Sequence, residues 1–128
     1  MRLLLDTHTF IWWIDGNSRL SQTARQALSE TGNEVFFSVV TAWEMAVKAA
    51  LGRLDVPDNL SFYIVEHVAR SRFQTLPIEL DHAVAVRDLP AHHCDPFDRL
   101  LIAQSLVERC VIVGQDRMFD RYAVERLW

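Results

Sequence analysis

Residues 3–6 read Leu3-Leu4-Leu5-Asp6, three apolar side chains followed by an acid. A strand with one wet face alternates apolar and polar residues. An unbroken apolar run this short therefore marks a strand covered on both faces. Val35–Val39 repeats the signal with β-branched and aromatic residues, and Val111–Val113 repeats it again. Phe73–Leu76 fits a fourth, shorter strand, and Val124–Leu127 a last one. Helical stretches fill the intervals: Phe10–Ile14, Ser21–Thr31, Thr41–Leu51 with Gly52 at its stop, Leu60–Arg70, Glu79–Leu89 and Pro96–Arg109. Buried strands alternating with helices predict an α/β fold with a mainly parallel central sheet between helical layers.

At 128 residues the chain fits one domain, 1–128. Half of its residues are hydrophobic, which supports a core and excludes a disordered tail. No stretch approaches the roughly 20 apolar residues of a membrane span, and the opening segment makes a poor signal peptide. Cys94 and Cys110 form no paired spacing, so a reducing cytoplasm is the expected compartment. The net charge of −4 excludes a domain that simply coats nucleic acid through a basic surface.

The acids fall at telling places. Asp6 follows the first strand, and Asp116 lies three residues beyond Val113. Glu44 is expected in the first turn after the second strand, and Asp98 in the first turn of Pro96–Arg109. In a parallel α/β sheet these positions share the edge beyond the carboxyl ends of the strands, where ligands bind. Each acid also has a purely structural explanation. Thr41-Ala42-Trp43-Glu44 matches a capping box. Asp95-Pro96 reads as an N-cap with proline at the first helical position, and Asp6 and Asp116 suit caps as well. Capping explains each acid separately but does not require all four at one edge. Four carboxylates together repel unless a cation joins them. Mg²⁺ and Mn²⁺ favour such oxygen ligands and activate water against phosphodiesters.

Four segments together resemble the PIN-domain family, and more narrowly the VapC-type toxins of toxin–antitoxin pairs. They are Leu3-Leu4-Leu5-Asp6-Thr7-His8; Trp43-Glu44-Met45-Ala46-Val47-Lys48 with Leu51-Gly52-Arg53-Leu54; Asp95-Pro96-Phe97-Asp98-Arg99-Leu100-Leu101-Ile102-Ala103-Gln104; and Val111-Ile112-Val113-Gly114-Gln115-Asp116 with Phe119 and Tyr122. The resemblance covers nearly the whole chain. It implies a three-layer α/β/α sandwich and a Mg²⁺- or Mn²⁺-dependent endoribonuclease with Asp6, Glu44, Asp98 and Asp116 as catalytic and metal-binding acids. It also implies RNA as substrate, a small antitoxin as partner, and a homodimer. One position departs from the family pattern. Gly114 stands where Ser or Thr often precedes the last acid, which removes a polar support expected for Asp116. Thr7 and Ser38 are the candidate replacements, and Asp95 joins them as a candidate outer neighbour of the site.

Arg99, Arg117 and Lys48 lie beside these acids in sequence and are candidates for RNA phosphate contacts. The competing reading for Lys48 is an i, i+4 salt bridge with Glu44. His92-His93-Cys94 lacks the second ligand pair that a structural zinc needs, and reads as a polar loop near substrate. Trp12 and Trp13 point about 100° apart on one helix, so both are not expected to face one core, and one of them suits a partner interface. A phosphotransfer site would want a second acid near Asp6, which Asp6-Thr7-His8 lacks. Two more readings compete with the toxin: a stand-alone RNA-processing nuclease, and a non-catalytic domain whose acids cap helices. Setting the four site acids aside leaves 13 acidic residues against 13 basic ones, so the excess negative charge would sit in one pocket.

Overall fold

The computed structural model describes residues 1–128. Its elements are β1 (Arg2–Leu5), α1 (Thr7–Asp15), α2 (Gln22–Ser29), β2 (Glu34–Ser38), α3 (Val39–Ala50), α4 (Leu60–Arg70), β3 (Gln74–Leu76), α5 (Leu80–Ala85), α6 (Pro96–Glu108), β4 (Val111–Val113) and β5 (Arg126–Leu127). Short 3₁₀ turns occupy Val86–Asp88 and Arg117–Arg121. All strand pairs are parallel, in the order β3-β2-β1-β4-β5.

The apolar run of β1 is explained by its place at the centre of the sheet. Leu3 and Leu5 face a core with Phe10, Trp12, Leu28, Phe37 and Met45. Leu4 faces the other core with Leu101, Ile102, Ile112 and Phe119. The helices α1 to α4 thus cover one face, and α6 covers the other. Right-handed crossovers require this switch, because the chain moves outward from β1 to β3 and then returns across the sheet to β4. The sequence expectation of a three-layer α/β/α sandwich with a parallel sheet holds. No helix is long and apolar enough to cross a membrane.

Several boundaries differ from expectation, each for a local reason. α1 starts at Thr7, not Phe10, because the Asp6 side chain caps it. α3 starts at Val39, not Thr41, because Ser38, the last residue of β2, caps it by accepting the Val40 N–H. The stretch 79–89 divides: Glu79 stays outside α5 as its cap, and the last turn tightens to 3₁₀. The last strand shrinks from Val124–Leu127 to Arg126–Leu127.

Both tryptophans pack within the chain, on one core. Trp12 is buried against Trp128, with ring centroids 5.9 Å apart. Trp13 packs on Phe73, and its Nε1 donates to Ser71 Oγ at 2.9 Å. The expectation that the two do not share a core is corrected by this packing. The flanks of α1 are wrapped by the C-terminus on one side and by the α4–β3 connection on the other.

Leu4 is fully buried in the central strand. Leu4→Ala is expected to lower the unfolding free energy by about 2–5 kcal/mol. Urea denaturation followed by circular dichroism measures it.

Candidate active site

The chain order reverses at β1, so the crevice of this sheet opens beyond the carboxyl ends of β1 and β4. Asp6 sits at its floor. Its backbone N–H continues the ladder to Val113 O at 3.1 Å. Its Oδ1 accepts the Thr9 N–H at 2.8 Å, and Thr9 Oγ1 in turn donates to Val113 O at 2.8 Å. Oδ2 is left without a protein donor and lies against Gly114, where a Cβ would stand 2.6 Å from it. Position 114 therefore bears on Asp6, whereas the sequence pattern assigns it to the support of Asp116. A side chain there would collide with Asp6. Burial pushes the Asp6 carboxyl above its ordinary range, opposed by the bonds to Thr9.

Glu44 is buried in the second turn of α3, since that helix begins at Val39. The capping-box reading of Thr41 and Glu44 is thereby corrected: Ser38 is the cap, and no acid occupies the first turn. Thr7 Oγ1 donates to Glu44 Oε1 at 2.7 Å and lies 3.2 Å from Thr41 Oγ1. Lys48 Nζ donates to Glu44 Oε2. Thr7 thus contacts one of the four acids, as a neighbour should. Lys48 is held in the i, i+4 ion pair, with its side chain about one-third exposed.

Asp95 caps α6, accepting the N–H groups of Phe97 at 2.9 Å and Asp98 at 3.0 Å. Asp98 lies in the first turn of that helix, with Oδ2 3.3 Å from His93 Nε2. Burial first, then the charge of Asp95, raises the Asp98 carboxyl to about 6, with Glu44 adding and His93 opposing. Asp116 is exposed and caps the 3₁₀ turn through the Met118 N–H at 2.8 Å. Asp6, His8, Trp12, Gln115, Asp116 and Arg117 line one open cavity. Asp6 and Asp116 therefore share a cleft. Glu44 is electrostatically coupled to both Asp6 and Asp98.

Two candidates are corrected. Ser38 bonds Gln104 Oε1 and the Val40 N–H, and touches none of the four acids. It belongs to a buried network in which Gln104 Nε2 also donates to Pro77 O at 3.1 Å. Arg99 is half-buried and committed to protein acceptors. It donates to Pro90 O at 2.8 Å, Leu89 O at 3.4 Å, Val86 O at 3.5 Å and Tyr122 Oη at 3.3 Å. It fastens the 86–93 segment, a structural role in place of the phosphate contact expected from the sequence. Arg117 remains exposed at the cleft.

The donor set suits a hard cation. Asp6, Asp98 and Asp116 each hold one carboxylate oxygen in a protein bond and have a second oxygen outside it. No three His, Cys, Asp or Glu side chains converge as a ready-made cage. Mg²⁺ does not require one, because it binds through one or two carboxylates and keeps several waters. The sequence marks His93 as part of a polar loop and Tyr122 as part of the last motif, but it does not reveal their contact with Asp98 or the support of Asp6 by Thr9. His93 is five residues from Asp98 and Tyr122 is 24, separations that carry no helical or strand period.

Fold and crevice together define a doubly wound α/β domain with an acid-lined cleft at its switch point. The chain belongs to the PIN domain family, whose model matches residues 3–125. Solved structures of similar fold include VapBC2 from Rickettsia felis bound to a promoter DNA fragment, at 13% identity, TM-score 0.72 and 100% coverage of both chains. DNA-bound VapBC from Salmonella typhimurium is similar at 18% identity and TM-score 0.73, covering 98% of this chain and 96% of that one. VapBC-5 of Mycobacterium tuberculosis, from the VapBC family of toxin–antitoxin systems, aligns at 18% identity and TM-score 0.61, with the same coverages. A search of curated proteins finds no match.

Gly114→Ala must displace the Asp6 carboxylate, and is expected to weaken Mn²⁺ binding about 10–100-fold while the protein stays folded. Isothermal titration and thermal melting report the two quantities. The raised Asp98 carboxyl also sets a pH dependence. Asp98 is about 6 folded against an ordinary 3.8, so the native state holds the extra proton between these values. Stability without divalent ion is therefore expected to fall as pH rises from 3.8 to about 6, and then to level. Asp98→Asn should reduce that decline in melting curves taken across the range. A residual slope of the same sign belongs to Asp6.

Proposed function

We propose that this chain is a Mg²⁺- or Mn²⁺-dependent endoribonuclease, the toxin of a toxin–antitoxin pair of the VapBC kind. The observation that carries the reading is the acidic crevice itself. Buried Asp6 and exposed Asp116 flank one cleft at the switch point, and the charge of Glu44 acts on both Asp6 and Asp98. Family membership and the VapBC complexes among the structural relatives support it.

Asp6, Asp98 and Asp116 would hold the metal, with Glu44 completing the acidic set. The ion would supply Lewis-acid activation of water and neutralise charge on the scissile phosphate. The chain's own residues set the stage. Thr9 fixes the Asp6 carboxylate through Oδ1, and Gly114 lets it lie flat against the backbone. Thr7 and Lys48 fix Glu44. Arg117 and His8 line the cleft and would meet RNA phosphate and base. Apolar side chains left exposed on α4 and α5, Phe62, Val65, Leu80 and Val84, offer surface for the antitoxin and for a second copy. The reading places the chain's action in the cytoplasm, where its RNA substrate and antitoxin would be met.

Asp6→Ala and Asp98→Ala are expected to lower Mg²⁺-dependent RNA cleavage by more than the roughly 10–100-fold typical of an outer-neighbour change. Cleaved ends mapped by sequencing, beside melting curves of each variant, provide the check. Undiminished cleavage by folded Asp6→Ala protein would refute the assignment. Cleavage by the wild-type chain no greater than a no-protein control would favour a non-catalytic domain whose acids cap helices.

A further inference from the structure

Four side chains from three parts of the chain form a connected polar line that ends on Asp98. Arg99 Nη1 donates to Tyr122 Oη at 3.3 Å. Tyr122 Oη lies 2.6 Å from His93 Nδ1. His93 Nε2 lies 3.3 Å from Asp98 Oδ2. The direction of this line is set by chemistry. A guanidinium has donors only, so the tyrosine oxygen accepts from Arg99. The single hydroxyl proton of Tyr122 is then free to go to His93 Nδ1. A neutral imidazole that accepts at Nδ1 carries its own proton on Nε2. That proton points at the Asp98 carboxylate.

The parts are held firmly. Tyr122 is buried in the α6-side core, 6% exposed, and its ring meets His93 edge-on at a centroid distance of 5.4 Å. The His92 imidazole packs on the same ring, at 5.0 Å. Arg99 ties the backbone around His93 to α6 through Pro90 O. Asp98 Oδ2 is thereby engaged, and Oδ1 is left for the cleft.

We propose that His93 is a positioning residue for Asp98, locked as the Nε2–H tautomer by Tyr122 and Arg99, so that one defined carboxylate oxygen faces the reaction. The proposal rests on the nuclease reading for its purpose, but its geometry can be tested without it. Loop filling alone would need the bulk of His93 and not the proton on a particular nitrogen.

The test combines a spectrum with a pair of substitutions. Long-range ¹H–¹⁵N NMR of the intact chain at mildly alkaline pH reads the imidazole tautomer directly. The expected result is a protonated Nε2 and a bare Nδ1 at His93, becoming a tautomer mixture in Tyr122→Phe, which keeps the buried ring. His93→Gln places an amide N–H where Nε2–H was, and should retain Mn²⁺ affinity within a few-fold of wild type. His93→Asn places its N–H on the Nδ1 side, and should lose about 10-fold or more. Melting temperatures of the two variants should be alike. A proton on Nδ1, a tautomer indifferent to Tyr122→Phe, or equal Mn²⁺ affinity of the Gln and Asn variants overturns the proposal. If the wild-type chain takes up no Mn²⁺ at all, the nuclease reading fails, and the positioning proposal is decided by the tautomer and its response to Tyr122→Phe.

Discussion

A carboxylate buried at the end of a central strand is costly, because the charged form has been taken out of water. Asp6 is in that position, closed in by β1, β4 and the start of α1. One of its oxygens is satisfied by the Thr9 N–H at the positive end of α1. The other is pressed over Gly114. This single placement constrains its surroundings. Residue 114 can carry no side chain without moving the acid. Thr9 must bond both the acid's side chain and the carbonyl that pairs with the acid's backbone. Asp116 shares its cleft where the sheet changes direction, and the charge of Glu44 acts on both Asp6 and Asp98. Outside the four, acidic and basic residues are equal in number.

Capping and chemistry are usually offered as rival explanations for an acid at a helix start. Here they divide a carboxylate between them. Asp6 and Asp116 each spend one oxygen on the first turn of the next helix, which fixes the side chain's orientation. The second oxygen is what a cation would meet. Asp98 gets the same treatment from His93 in place of a backbone N–H, while Asp95 takes over the cap of α6. Glu44 is the exception. Both of its oxygens are engaged, by Thr7 and Lys48, so its contribution to the cleft is mainly electrostatic.

The strands are legible in the sequence because both faces of the sheet are covered, which removes polar residues from Leu3–Leu5 and Val111–Val113. The edge on which the acids fall is legible for the same reason, since a parallel sheet has only one carboxyl edge. The start of α3 is not. Thr41 and Glu44 make a good capping box on paper, but Ser38 reaches the Val40 N–H first and leaves Thr41 free to lie beside Thr7. Arg99 looks like a phosphate ligand in the sequence because its true partners are backbone carbonyls of the 86–93 segment, and carbonyls leave no mark there. The line from Tyr122 to Asp98 joins residues brought together only by packing of the last 3₁₀ turn on α6, so no local pattern announces it.

The central claim is that this crevice holds a divalent cation on Asp6, Asp98 and Asp116. The most direct measurement is a crystal structure of the chain soaked in Mn²⁺, with anomalous scattering used to locate the ion. The account predicts an anomalous peak between Asp6 and Asp116, within coordination distance of Asp98 or one water from it, that disappears in Asp6→Ala crystals. A clear peak elsewhere on the surface, with none in the crevice at saturating Mn²⁺, would contradict it.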